Sequence, residues 1–127
     1  MSKFEAIKKQ YQKTLKRLEE ILEIPKSDIV RDSAIKRFEF TFDLSWKLLK
    51  AYLEEKKGIS CQSPKDCFRE AFRQGIIQYD EKWLSITDLR NQAVHTYEEK
   101  FADYLFKQLP DILKYFQLLR ESIVDKE

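Results

Sequence analysis

Apolar residues recur at steps of three and four along most of this chain, the spacing of one face of an α-helix. Over residues 3–23, Phe4, Ile7, Tyr11, Leu15, Leu18 and Leu22 make one stripe, and Lys8, Lys9, Lys13, Lys16 and Arg17 occupy the other side. That basic run reads as a solvated face, with a phosphate-steering patch as the sharper alternative. Pro25 interrupts the pattern, and Ser27 or Asp28 is placed to cap a new helix. From Ile29 to about Lys57 runs the longest helical signal. Ile35, Phe38, Phe42, Trp46, Leu49 and Leu53 mark its main stripe, and Phe40, Leu44, Leu48 and Tyr52 widen it. So wide an apolar surface must meet more than one neighbour, either at the centre of a bundle or at a subunit interface. Glu39 and Asp43 stand four apart within this run. As a metal pair they would lack further ligands, so they read as surface carboxylates or as partners for nearby basic residues.

Gly58 is a natural helix stop. Ser63-Pro64-Lys65-Asp66 then reads as a start: Ser63 caps, Pro64 takes the first helical position, and Asp66 favours the positive end of the dipole. This helix is short, with Phe68, Ala71 and Phe72 inside and Gly75 at its end. Residues 76–80 connect to a helix from about Glu81 to Tyr97. Phe101, Leu105, Leu109, Ile112, Phe116, Leu119 and Ile123 then mark a last helical region. Pro110 lies inside it, where the missing donor and the ring predict a kink or a break just before it. The final residues, 124–127, are expected to fray. No strand pattern or repeat stands out. The predicted architecture is all-α: an antiparallel up-and-down four-helix bundle with one extra short helix.

At 127 residues the chain is expected to be one domain with a proper core. With only 2 Gly and 3 Pro, few turns are available, and 36% charged beside 43% hydrophobic residues suits long amphipathic helices. The 24 basic and 22 acidic residues nearly cancel, which argues against a general nucleic-acid footprint but leaves room for a local patch. No apolar run reaches the length of a membrane span, and MSKFEAIKKQ lacks the apolar core of a signal peptide. Cys61 and Cys67 do not have a zinc spacing. They are expected to be reduced thiols in a cytoplasmic protein, with a disulfide between them as the less favoured state.

The chemistry concentrates in Asp88–Glu99, DLRNQAVHTYEE. This stretch holds His95, the only histidine, together with Arg90, Asn91 and Tyr97. On a helix turning about 100° per residue, Asn91 and His95 share a face, and Arg90 and Tyr97 share another with Val94. Arg90 and His95 are then about 140° apart, a gap that a long side chain or a second copy of the helix could close. No glycine-rich phosphate loop, histidine pair or Ser/His/Asp arrangement is present, which removes nucleotide-loop, zinc and classical acyl-transfer chemistry from consideration. A histidine can carry a proton near neutral pH, an arginine can hold a phosphate, and an amide can orient either. These are the minimum for metal-free RNA cleavage by the 2′-hydroxyl, with two copies supplying one base and one acid. From spacing alone, a hydrogen-bonded structural histidine is the commoner reading.

RNQAVHTY resembles the signature of the HEPN superfamily: an arginine, a polar residue after it, and a histidine five after the arginine. The tyrosine two after the histidine resembles the form seen in HEPN toxins paired with a minimal nucleotidyltransferase. RFEFTFDLSWKLLKAYLEEKKG, SPKDCFREAFRQGII and WLSITDLRNQAVHTYEE also resemble, in order, the nucleotidyltransferase substrate-binding family, over roughly residues 30–110. The resemblance implies an all-α bundle that dimerises, encoded beside a small nucleotidyltransferase. It implies no cofactor and no metal. Arg90 would bind the scissile phosphate, His95 would act as general acid or base, Asn91 would orient them, and Tyr97 would accept AMP from the partner.

Two functions follow from the resemblance. One is a metal-independent endoribonuclease toxin held in check by its nucleotidyltransferase partner. The other is a non-catalytic subunit that binds substrate and assists that enzyme. An inert helical assembly protein is the bland third. Tyr97 likewise has a plain reading, as a helix-end aromatic packed on Phe101.

Overall fold

The structure, a computed structural model, describes residues 1–78 and 80–124, with the side chain of residue 80 left aside. Among the described residues five α-helices run in the order α1 (Lys3–Ile21), α2 (Asp28–Tyr52), α3 (Pro64–Arg73), α4 (Asp80–His95) and α5 (Glu99–Leu119). Widened helical turns extend α2 through Leu53–Lys57 and α5 through Arg120–Val124. Among the described residues no helix is long and apolar enough to cross a membrane.

The starts of three helices are set by serine hydroxyls. Ser2, Ser27 and Ser63 each accept from the backbone N–H three residues on, at 3.1, 3.1 and 3.3 Å, occupying a donor that the first turn leaves unpaired. Pro64 follows its cap at the first helical position, where no N–H is needed. Gly58 closes the α2 extension at φ 66°, and Gly75 follows α3 at φ 73°. In this left-handed region a side chain would be strained.

The long helices alternate in direction. Phe4 of α1 meets Tyr52 at the far end of α2, and Arg17 of α1 meets Arg37. Trp83 near the start of α4 meets Tyr115 and Phe116 near the end of α5. α2 touches all four other helices, the central position its wide apolar surface requires. An aromatic run joins four elements through the middle. Phe38 of α2 lies 6.2 Å from Phe116 of α5, and Phe42 lies 5.8 Å from Phe68 of α3. Phe68 in turn stacks on Trp83 of α4 at 4.7 Å. Such ring pairs add to the burial of the rings themselves.

Three expectations are corrected. First, the break expected before Pro110 is absent: α5 runs through it without interruption. Leu105 and Leu109 on one side and Ile112 and Phe116 on the other are all buried in the core. Their burial, about 1.5–3 kcal/mol for each large apolar side chain, outweighs a proline cost of roughly 3 kcal/mol. Second, α4 ends at His95, not Tyr97, so Tyr97 does not share a helical face with Arg90. Third, Cys61 and Cys67 are joined in a disulfide. The stretch after Gly58 brings Cys61 to a Cα separation of 5.2 Å from Cys67 in the first turns of α3, and both bury beside Leu53. Free thiols therefore no longer support a cytoplasmic location. The expected fraying of 124–127 lies outside the described residues from 125 onward.

The fully buried Tyr11 fastens α1 to α5 by donating its hydroxyl to the Phe116 carbonyl at 2.7 Å. Burial pushes that hydroxyl's pKa well up, against the opposing pull of Arg120, so it stays a neutral donor. Tyr11→Phe should keep the helical circular dichroism and lower the unfolding free energy by about 1 kcal/mol. Urea melts check this, and an unchanged midpoint would show that the hydrogen bond adds no net stability.

Candidate functional site

α4 passes from core to surface along its length, and this transition presents the motif. Trp83 and Ile86 are buried, Leu89 and Arg90 are half-buried, and Asn91, Val94 and His95 are exposed. Two ion pairs hold the helix against its neighbours. Lys65 of α3 binds Asp88 at 2.8 Å, and Lys82 binds Asp111 of α5 at 2.8 Å. Thr87, a polar residue facing the core, donates its hydroxyl to the Trp83 carbonyl one turn back, which satisfies it locally.

Arg90 is held from three sides. Its Nε donates to Asn91 Oδ1 at 3.0 Å, and one terminal nitrogen donates to Asp43 Oδ1 on α2 at 3.1 Å. Its guanidinium carbon sits 4.6 Å from the centre of the Phe42 ring. The bond to Asp43 is charge-assisted, and the ring face adds attraction to a planar cation. Asp43 is shared with Lys47 at 3.5 Å. The carboxylate in the aromatic run of α2 thus serves basic residues. The side chain of Arg90 keeps 19% of its surface exposed, so the cation is oriented but still open to an anion.

His95 is exposed at the last position of α4. Among the described residues no hydrogen bond joins it to Arg90 or Asn91. Arg90 and Asn91 are brought together, while His95 stands one turn beyond Asn91 on the same helix. Tyr97 is 96% exposed, which excludes its packing on Phe101. Phe101 instead packs on the core and lies 6.4 Å from the ring of Tyr104. Asp43 and Phe42 as holders of Arg90 were not evident beforehand. Only the presence of a carboxylate in an otherwise aromatic stretch hinted at them.

Residues 96–98, which carry Tyr97, are tied down at their far side. Arg31, near the start of α2, is buried and contacts Asp32 at 3.0 Å, Asp103 at 3.1 Å, Glu99 at 3.5 Å and Asp28 at 3.7 Å. Glu99 and Asp103 belong to the first turns of α5. The hydrogen bonds to Asp32 first, and then to Asp103, raise the pKa of Arg31. Lys26 first, and then Arg31, lower the pKa of the Asp103 carboxyl.

Residues 7–125 match the family described as nucleotidyltransferase substrate binding protein like. The chain belongs to this family. It is 35% identical over 103 residues to the Haemophilus influenzae protein named probable ribonuclease HepT, a match covering 75% of this chain and 70% of that one. It is also similar to a Thermus thermophilus protein of known crystal structure, at 38% identity and a TM-score of 0.80, over 86% of this chain and 94% of that one. A second structure, from Haemophilus influenzae, is described as revealing the fold of a substrate binding domain of a nucleotidyltransferase. It matches at 29% identity and a TM-score of 0.67, over 93% of this chain and 94% of that one. The all-α bundle and the HEPN and substrate-binding resemblances read from the sequence agree with these relationships.

A pH prediction follows from Asp103. Its folded pKa lies below the ordinary carboxylate value of about 3.9, so its contribution to stability is complete above that value and is lost as pH falls through the lowered one. The stability gap between wild type and Asp103→Asn should therefore be present at pH 7 and shrink below about pH 4. Urea melts at pH 7 and pH 3 measure it, and a gap that does not change would refute the pairing as its source.

Proposed function

We propose that this chain is the partner subunit of a minimal nucleotidyltransferase and is itself a metal-independent endoribonuclease, the toxin half of a two-component pair. The observation that carries this reading is a buttressed but accessible Arg90 followed on the same helix by an exposed His95. Arg90 binds the scissile phosphate, and Asn91 keeps the guanidinium oriented. The RNA 2′-hydroxyl gives its proton to a base and attacks the adjacent phosphorus. The phosphorus–O5′ bond breaks as an acid protonates O5′, leaving a 2′,3′-cyclic phosphate. Base and acid are two groups, and each chain has one histidine. The reading therefore requires a second copy, with His95 of each protomer contributing to one cleft of a homodimer.

Tyr97 is the proposed point of control. Its near-complete exposure suits a hydroxyl that attacks the α-phosphate of ATP on the partner enzyme, accepting AMP as pyrophosphate leaves. The negative charge added there, two residues after His95, would repel RNA phosphate approaching the motif. The chain acts as one domain in the cytoplasm, where RNA and the partner enzyme meet. A second reading, a non-catalytic subunit that presents substrate to the nucleotidyltransferase, is supported by the substrate-binding description shared by the family and one of its structures.

The test is cleavage of total tRNA and of a generic single-stranded RNA in EDTA, with wild type beside His95→Ala and with Tyr97 shown by mass spectrometry to be unmodified. Wild type should cut, and His95→Ala should be slower by at least about 100-fold, the usual scale of lost proton transfer. Cleavage that survives in the folded variant would sink the ribonuclease reading. Intact RNA with both proteins would favour the substrate-binding subunit.

A further inference from the structure

A second surface, outside the motif helix, has the chemistry of a nucleic-acid contact. Between α1 and α2 lies a cleft of about 230 Å³ lined by Thr14, Arg17, Ser33, Lys36, Arg37 and Phe40. Three of these six are cations and none is a carboxylate. Among the described residues no acidic side chain pairs with Arg17, Lys36 or Arg37. By contrast, Lys8, Lys26, Arg31, Lys47, Lys65, Arg73, Lys82, Arg90 and Arg120 each have an acidic partner. Arg37 is fixed by donating to the Arg17 backbone carbonyl at 2.8 Å, a contact that leaves its charge unneutralised. Lys13 and Lys16 stand exposed on the adjoining face of α1.

Phe40 supplies the second component. It is 53% exposed although it belongs to the aromatic run of α2, and the Lys36 ammonium lies 5.5 Å from its ring centre. An accessible ring beside unpaired cations is the combination that holds single strands without sequence preference: bases stack on the ring, and phosphates meet the charges.

Register connects the cleft to the candidate site. Lys36, Phe40, Asp43 and Lys47 follow one another at steps of four, three and four, so they form one stripe along α2. Asp43 in that stripe holds Arg90. Lys36 and Asp43 are separated along the axis by about 10 Å, on the order of three stacked nucleotides.

We propose that the α1–α2 cleft binds single-stranded RNA, with Phe40 stacking a base and Lys36, Arg37 and Arg17 holding the flanking phosphates, and that the strand continues along α2 to Arg90. The proposal rests on the ribonuclease reading for what happens at Arg90, but RNA binding by the cleft can be measured independently.

The experiment measures fluorescence anisotropy of a labelled 12-nucleotide single-stranded RNA with the full chain carrying His95→Ala. Lys36→Gln/Arg37→Gln, Phe40→Ala and Phe40→Trp are added to that background, and sedimentation and circular dichroism are recorded for each. The double charge variant should bind at least about 10-fold more weakly, and its dependence of log K on log salt should be shallower by about 1.4, or roughly 0.7 for each lost phosphate contact. Phe40→Ala should weaken binding about 5-fold or more, and Phe40→Trp should restore it.

Unchanged RNA affinity in the folded charge variants, or no RNA binding by the parent, would overturn the proposal. So would a Phe40→Ala effect confined to sedimentation, which would make this face a contact between copies of the chain. The same charge and Phe40 variants with His95 intact are assayed for cleavage. If wild type cuts RNA and the cleft variants bind and cut equally well, the cleft proposal fails and the ribonuclease reading survives. If binding depends on the cleft but wild type does not cut, the cleft proposal stands and the ribonuclease reading falls.

Discussion

The structure depends on burying α2 from several sides at once. Phe38, Phe42, Leu48 and Leu49 are fully buried, and no single neighbouring helix could cover them. α1, α3, α4 and α5 therefore pack around it. At roughly 1.5–3 kcal/mol for each large apolar side chain removed from water, this burial is the dominant favourable contribution to folding. It also fixes where α4 must lie, because Trp83 stacks on Phe68, which packs in turn on Phe42. The motif half of α4 then emerges beside the one polar stripe that α2 retains.

That polar stripe makes the candidate site more than a sequence motif. Asp43 lies on the helix whose neighbouring positions build the core, so the carboxylate that holds Arg90 sits on the element that touches all four other helices. The Phe42 ring lies in the core and under the guanidinium at the same time. Packing and charge placement are thus coupled through two adjacent residues. At the other end of the motif, the cluster around Arg31 fixes the start of α5. Tyr97 lies between a helix end and a charged clamp, which leaves it exposed within a short bounded segment.

Much of this arrangement was legible in the sequence because it follows from local rules. Ser27, Ser63 with Pro64, Gly58 and Gly75 mark helix ends through their own backbone and side-chain chemistry, and the wide stripe of α2 implied its central place. What escaped reading depends on tertiary context. Pro110 does not break α5, because core contacts on both sides outweigh the local cost. α4 releases its last turn at His95 although no breaker stands there. Cys61 and Cys67 meet because the path after Gly58 folds back onto α3. The partner of Arg90 lies 47 residues away on another helix, and no periodicity within either segment could have paired them. The candidate residues could be named from the sequence, and the way Arg90 is supported could not.

The central claim is that Arg90 and His95 form a phosphodiester-cleaving centre that uses the RNA 2′-hydroxyl. The most direct measurement is end-group analysis of RNA fragments produced by the purified wild-type chain in EDTA. The account predicts 2′,3′-cyclic phosphate on one fragment and a free 5′-hydroxyl on the other, with no cutting of an RNA whose 2′-hydroxyls are replaced by hydrogen. Fragments ending in 3′-hydroxyl and 5′-phosphate, or cleavage of the 2′-deoxy strand, would contradict it.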